Sequence, residues 1–207
     1  MRVGYFGGTF DPPHRGHLAV ACAARDAFSL DLVLLAPTGK QPLKPDARSA
    51  PFADRLAMVE LLCEGEVGLE ASAIDAPRPD GSPNYTIDTL DRLRATLGST
   101  EASAARLELF VVVGADAFLS LPLWHRPEGL LRAAEWIVVS RPGFSREDLR
   151  SVALPEDDAE RVHLLESVDV PISATDVRSQ LLAGERRLES LTPGVLAYIE
   201  ARHLYGR

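Results

Sequence analysis

The chain has 207 residues and a formal net charge of −8, with 46% hydrophobic and 25% charged residues. That balance suits one α/β domain with a substantial core. The acidic charge argues against nucleic-acid or membrane-surface partners, which need a broad basic face. No run is long enough to span a bilayer. The two cysteines, Cys22 and Cys63, fall in helical patterns and read as buried thiols, so the expectation is a soluble cytoplasmic protein. Monomer and homo-oligomer are both open.

The elements alternate along the chain. Val3 to Phe6 predicts a first strand, followed by the turn Gly7-Gly8-Thr9-Phe10-Asp11-Pro12-Pro13-His14-Arg15-Gly16-His17 and a helix from His17 to Phe28. Leu32 to Ala36 is uniformly apolar, as a parallel strand covered on both faces should be. A proline-rich loop, Thr38 to Pro45, carries both lysines, Lys40 and Lys44. Phe52, Leu56, Val59 and Cys63 recur at helical spacing. Val67 to Ala71 reads as a short strand and Asp75 to Pro83 as a loop. A helix then opens near Asn84 and runs to Leu97.

Leu107 to Val113 is the strongest strand and stops at Gly114-Ala115-Asp116; a short helical stretch to Leu119 follows. Trp136 to Ser140 and Arg161 to Leu165 complete the strands. Ile172-Ser173-Ala174-Thr175-Asp176-Val177-Arg178 opens a helix ending near Gly184, and the closing helix after Pro193 presents Val195, Tyr198 and Ile199 on one face. This alternation predicts an α/β fold with a doubly wound parallel sheet and a small C-terminal helical part over about 172–207.

The chemistry concentrates at two helix starts. At the first, glycines, exposed backbone N–H groups and the positive end of a helix sit beside His14 and His17, a pattern suited to holding phosphate. Gly7 and Gly8 are expected to let a ligand approach the backbone. Asp11, His14 and His17 can also be read as metal ligands, which makes a metal-dependent phosphohydrolase the rival of a different class. Neither G-x-G-x-x-G nor G-x-x-x-x-G-K-[ST] occurs. At the second, Ser173 and Asp176 have the form of a capping box, as do Ser145 and Asp148; Arg178 one turn in adds a guanidinium suited to polyphosphate. Asp116 follows the end of a buried strand, where a carboxylate can bind sugar hydroxyls or serve simply as a turn residue.

These residues form a set that resembles a known family. The stretch Gly7 to His17 resembles the first signature of the nucleotidyltransferases that carry a His-x-x-His pair, and Ser173-Ala174-Thr175-Asp176-Val177-Arg178 resembles their second. Within that superfamily, Ser82 to Leu90, Gly114-Ala115-Asp116, Leu121-Pro122-Leu123-Trp124, Arg141 to Phe144 and the ending Tyr198 to Tyr205 are similar to bacterial nicotinate-nucleotide adenylyltransferases.

The resemblance implies a Rossmann-like fold and transfer of the adenylyl group of ATP to nicotinate mononucleotide, with Mg²⁺ on the polyphosphate and no metal held by protein side chains. It implies catalytic roles for His14, His17 and Arg178. ATP would be bound by Gly7, Gly8, Thr9, Phe10, Gly114, Asp116, Ile172, Ser173, Thr175 and Arg178. Nicotinate mononucleotide would be bound by Lys44, Tyr85, Thr86, Trp124 and Arg141. The sequence departs from the family pattern at Leu43 (usually histidine), Asn84 (usually serine) and His125 (often aromatic). These lie on the acceptor side, so nicotinamide mononucleotide and other phosphate acceptors stand as alternatives in the same reaction. A catalytically silent nucleotide-binding module is disfavoured by the intact pair of signatures.

Overall fold

The computed structural model describes residues 1–40, 49–140, 156–166, 171–185 and 187–206. Six strands form one parallel sheet: β1 (Arg2–Gly8), β2 (Leu32–Pro37), β3 (Leu69–Ala71), β4 (Glu108–Gly114), β5 (Glu135–Val139) and β6 (Val162–Leu165). Their spatial order is β3-β2-β1-β4-β5-β6, and every pairing is parallel. The chain fills one side of β1 first, then crosses back to start β4 on the other. β1 and β4 therefore flank the point where the winding reverses, and the crevice above their carboxyl ends is where such sheets bind ligands.

The apolar strands are explained by two cores, one on each face. Alternate residues of a strand point to opposite faces. Phe110 and Val112 of β4 join Phe6, Leu35 and Ile137 under α1 (Arg15–Ala27) and α2 (Phe52–Cys63). Leu109, Val111 and Val113 join Tyr5, Leu34 and Trp136 under α3 (Thr86–Leu97), α5 (Ala115–Leu119) and α6 (Pro127–Arg132). The fold is thus the α/β, doubly wound arrangement that the sequence predicts. Among the described residues, the short α-helices α4 (Glu101–Ala104), α6 and α7 (Glu156–Ala159) and a 3-10 turn at Leu121–Leu123 were not legible in the sequence. Cys22 and Cys63 are both free, and burial pushes the Cys63 thiol up to about 12.

One expectation is corrected. Gly7 and Gly8 are not part of the turn; they are the last residues of β1, in register with Ala36 and Pro37 of β2. A Cβ on Gly7 would lie 2.3 Å from the hydroxyl of Tyr5, and one on Gly8 would lie 3.2 Å from the ring of Phe10. The glycines make room for two buried side chains of this chain.

The closing pair, α8 (Ala174–Leu182) and α9 (Pro193–Ala201), packs on the first core through Val177, Val195 and Ile199. Beyond apolar contact, α9 is pinned by a buried carboxylate. The Tyr198 hydroxyl and the Arg202 guanidinium both donate to Oδ1 of Asp54 on α2, at 2.9 and 3.2 Å.

The Tyr5 hydroxyl that crowds Gly7 is itself held by a hydrogen bond to buried Asp75, which a displacement would strain. Gly7→Ala should therefore lower stability by about 2 kcal/mol, the usual scale of overpacking a closed site. Urea unfolding monitored by circular dichroism measures this directly.

Candidate active site

The loop from Thr9 to His14 joins β1 to α1 and carries the first signature. Its shape is fixed from outside. Phe10 adopts a positive φ of 48°, and its buried ring stands edge-on to Phe6 with centroids 5.5 Å apart. The Asp11–Pro12 peptide bond is cis. Asp11 is buried, and its Oδ1 accepts from the Tyr205 hydroxyl at 2.5 Å and from the Ala50 N–H at 3.1 Å. Burial and the adjoining Asp11 push the Tyr205 hydroxyl far above its ordinary range, so it remains a donor.

His14 caps α1 and His17 lies one turn in. The His14 N–H donates to Nδ1 of His17 at 3.2 Å, so the neutral His17 ring carries its proton on Nε2. The two rings lie 3.7 Å apart between centroids at an interplanar angle of 30°. Gly16 permits this: a Cβ there would sit 2.9 Å from Nδ1 of His14. Burial lowers His14 to about 4. Burial, and then the neighbouring His14, hold His17 well below the ordinary imidazole range. At neutral pH both rings are uncharged N–H donors. Not every amide at this helix start is open, since Arg15 N–H already donates to the Ser190 carbonyl at 2.8 Å.

The second signature meets the first. Ile172 lies against Gly16, with 3.5 Å between its Cβ and the position a Cβ on residue 16 would take. Ser173 is the N-cap of α8: its hydroxyl accepts from Asp176 N–H at 3.1 Å and donates to the Asp176 carboxylate at 2.8 Å. The amides of Ala174 and Thr175, first in the helix, have no intrahelical partner and face the helix N-terminus. Arg178 donates from Nη1 to the Asp11 carbonyl at 2.6 Å and from Nη2 to the Thr175 hydroxyl at 3.2 Å. His14, His17, Ile172, Ser173, Thr175 and Arg178 are thus brought to one end of the sheet.

Beside this group, above the ends of β1 and β4, lies a cavity lined by Gly7, Gly8, Gly114, Tyr85, Thr86, Trp124 and His125. Tyr85 and His125 stack at 4.2 Å and 25°, forming one wall. The Trp124 indole N–H donates to Ser120 Oγ at 3.1 Å, and the ring stands edge-on to Trp136 at 6.2 Å. Tyr85 precedes α3 without a side-chain cap, so the first amides of that helix have neither an intrahelical nor a capping partner. Asp116 lies in the first turn of α5, just past Gly114. Lys44, Arg141 and the departure at Leu43 lie outside the described residues.

The Asp11, His14, His17 metal triad does not assemble. The Asp11 carboxylate is engaged by Tyr205 and Ala50, and the two imidazoles stack on each other rather than converging with it. Among the described residues no group of three His, Cys, Asp or Glu side chains is placed to hold a metal ion.

Residues 5–180 match the cytidylyltransferase-like family model. A relative from Gloeobacter violaceus is 41% identical over 206 residues, covering 99% of this chain and 96% of its own length; it is named a probable nicotinate-nucleotide adenylyltransferase. The chain belongs to the nicotinate-nucleotide adenylyltransferase family. A relative of the same name from Solibacter usitatus is 38% identical, covering 99% of this chain and all of its own. The solved Plasmodium falciparum nicotinic acid mononucleotide adenylyltransferase complexed with NaAD superposes with a TM-score of 0.71 at 15% identity. It covers 99% of this chain and 97% of its own, and shares the Rossmann-like fold.

Three residues of this adenylyltransferase-family chain were not singled out for the site in the sequence. Arg55 is buried and donates to the carbonyls of Ala50, Thr9 and Thr38 at 3.0, 2.7 and 2.9 Å, joining the ends of β1 and β2. Asp75 is buried in the cavity wall. Tyr205 reaches the signature loop from 194 residues away. The departure at Asn84 is structural: it accepts from Lys40 N–H at 3.1 Å and donates to the Ala76 carbonyl at 3.1 Å, tying two loops together.

The lowered His14 makes stability depend on pH. Between its ordinary 6.5 and about 4, the unfolded chain takes up a proton that the folded chain refuses. Stability therefore falls as pH drops from 6.5 towards 4, by about 3 kcal/mol in total at 1.4 kcal/mol per unit. Denaturant titrations across that range should show a shallower slope in His14→Gln than in the wild type.

Proposed function

We infer that the chain transfers the adenylyl group of ATP to nicotinate mononucleotide, giving nicotinate adenine dinucleotide and pyrophosphate. The observation that carries this reading is the adjacency of two sites. A cluster of neutral imidazoles, helix-start amides and Arg178 adjoins an aromatic-walled cavity at the same carboxyl end of the sheet.

In this reading ATP enters as its Mg²⁺ complex, the ion arriving on the polyphosphate. Its phosphates lie between His14 and His17 on one side and Ser173, Thr175 and Arg178 on the other. The ribose lies near Gly114 and Asp116. The Ser173 hydroxyl keeps its capping role, so the open amides of Ala174 and Thr175 and the unused donors of Arg178 supply the grip. The mononucleotide enters the cavity with its ring against Trp124. The uncapped start of α3, at Tyr85 and Thr86, offers N–H groups to the ring carboxylate. Lys44 and Arg141 are assigned to the acceptor phosphate.

The chemistry is an in-line displacement. A phosphate oxygen of the mononucleotide forms a bond to the α-phosphorus, the bond from that phosphorus to the bridging oxygen breaks, and pyrophosphate leaves with the electron pair. No proton needs to be removed from the attacking phosphate. The side chains position the reactants and stabilise charge on the α-phosphoryl and leaving oxygens. The Nε2–H of His17, set by its Nδ1 contact, acts there as a preorganised donor. The two free thiols fit a reducing compartment, and we place the reaction in the cytoplasm.

The test supplies ATP, Mg²⁺ and either nicotinate or nicotinamide mononucleotide, and measures pyrophosphate and dinucleotide together. Equal release of dinucleotide and pyrophosphate is expected, with nicotinate mononucleotide preferred. Phosphate release without dinucleotide would contradict the reading. His17→Ala should lower turnover by more than about 100-fold, the scale of losing a preorganised charge-stabilising donor.

A further inference from the structure

The cavity proposed to take an anionic ring has a buried carboxylate in its wall. Asp75 is 2% exposed and lines the cavity together with Tyr5. Its Oδ2 accepts from the Tyr5 hydroxyl at 2.5 Å, and its Oδ1 accepts from the Thr89 hydroxyl at 2.5 Å. Burial and the carboxylate beside it push Tyr5 well above its ordinary range, so the phenol stays a donor. Hydroxyl donors satisfy the carboxylate's lone pairs but leave its charge in place. An uncompensated negative charge in a poorly solvated wall acts over several ångströms on another anion.

That charge has a partner on the far side. Arg92 on α3 places Nη2 3.3 Å from Asp75 Oδ1 and 3.0 Å from Thr89 Oγ1, and its Nε donates to the Asp88 carbonyl at 3.3 Å. Among the described residues Arg92 is the one cation paired with this carboxylate. The neighbouring Arg78 pairs with Asp88 instead, at 2.7 Å. The Arg92 side chain is 40% exposed, whereas Asp75 and Thr89 are closed off from water. Arg92 thus reaches from the surface to cancel a charge inside the cavity wall. Thr89 lies one turn into the helix whose uncapped start faces the cavity, so the same contacts also hold that start in place.

We propose that Arg92 and Asp75 form a specificity-setting pair, in which Arg92 neutralises the cavity wall so that a negatively charged ring is accepted. Neither residue touches the reacting atoms; both act through the charge and position of the cavity. The inference rests on the acceptor assignment above.

The test measures KM for nicotinate mononucleotide, KM for ATP, kcat, and KM or competitive Ki for nicotinamide mononucleotide, at pH 8. Arg92→Gln should raise KM for nicotinate mononucleotide about tenfold, with kcat, KM for ATP and the nicotinamide value changing less than twofold. Arg92→Lys, which keeps the charge, should restore most of that loss. Asp75→Asn, which keeps an acceptor for Tyr5, should shift the nicotinate-to-nicotinamide preference the other way, and combining it with Arg92→Gln should return the preference towards wild type. An active wild type whose two acceptors respond alike to Arg92→Gln, or whose kcat falls instead, overturns this inference alone. A wild type that makes dinucleotide from neither mononucleotide overturns the acceptor assignment, and this inference with it.

Discussion

The meeting of the two signatures hangs on the burial of one residue, Asp11. Its carboxylate is tied to the C-terminal Tyr205 and to the Ala50 amide, and its carbonyl is the anchor of Arg178. Those three contacts bring together segments from opposite ends of the chain. A buried carboxylate left unpaired would cost several kcal/mol, so the Tyr205 hydroxyl of the tail and the Ala50 amide stabilise the loop, while Arg178 ties its carbonyl to α8. The turn between β1 and α1 can therefore present two histidines in fixed positions without any regular structure of its own. Arg55 reinforces it from below by joining the Thr9 and Thr38 carbonyls.

Burial also decides the charge of the histidines. A cationic pair would attract ATP at long range, but two cations with centroids 3.7 Å apart in a closed site would repel and be poorly solvated. The fold resolves this by keeping both neutral and using them as N–H donors, with positive charge supplied by Arg178 and by two helix starts. Gly16 is the small residue that makes the stacked geometry possible. The same logic runs through the neighbouring cavity, where a carboxylate in the wall is matched by Arg92.

Much of the fold was legible because its signals are local. Strand β4 and helix α2 follow directly from apolar runs and helical spacing, and the two signatures carried most of the candidate site. What was hidden depends on partners distant in sequence. Gly7 and Gly8 read as a turn because the sequence does not reveal their pairing with Ala36 and Pro37 of β2, which keeps them in the strand at the cavity. Arg55 sits in an amphipathic helix as one polar residue among others, and only the fold shows its three nitrogens aimed at carbonyls of other loops. Asp75 falls in a proline-rich loop, where an aspartate ordinarily reads as turn chemistry. Ser173 reads both as cap and as ligand, and its hydroxyl is taken by the cap while its helix start is left to the ligand.

In the proposed reaction a preformed, neutral histidine pair receives the phosphates of ATP. Nitrogen NMR of the ring nuclei of His14 and His17 at pH 7, recorded during titration with Mg²⁺ and a non-reacting ATP analogue, tests it most directly. Neutral rings are expected in the free protein, with His17 protonated on Nε2, and the ring resonances of both residues should move to saturation with the nucleotide. A charged His17 in the free protein, or rings that do not respond to saturating nucleotide, would contradict it.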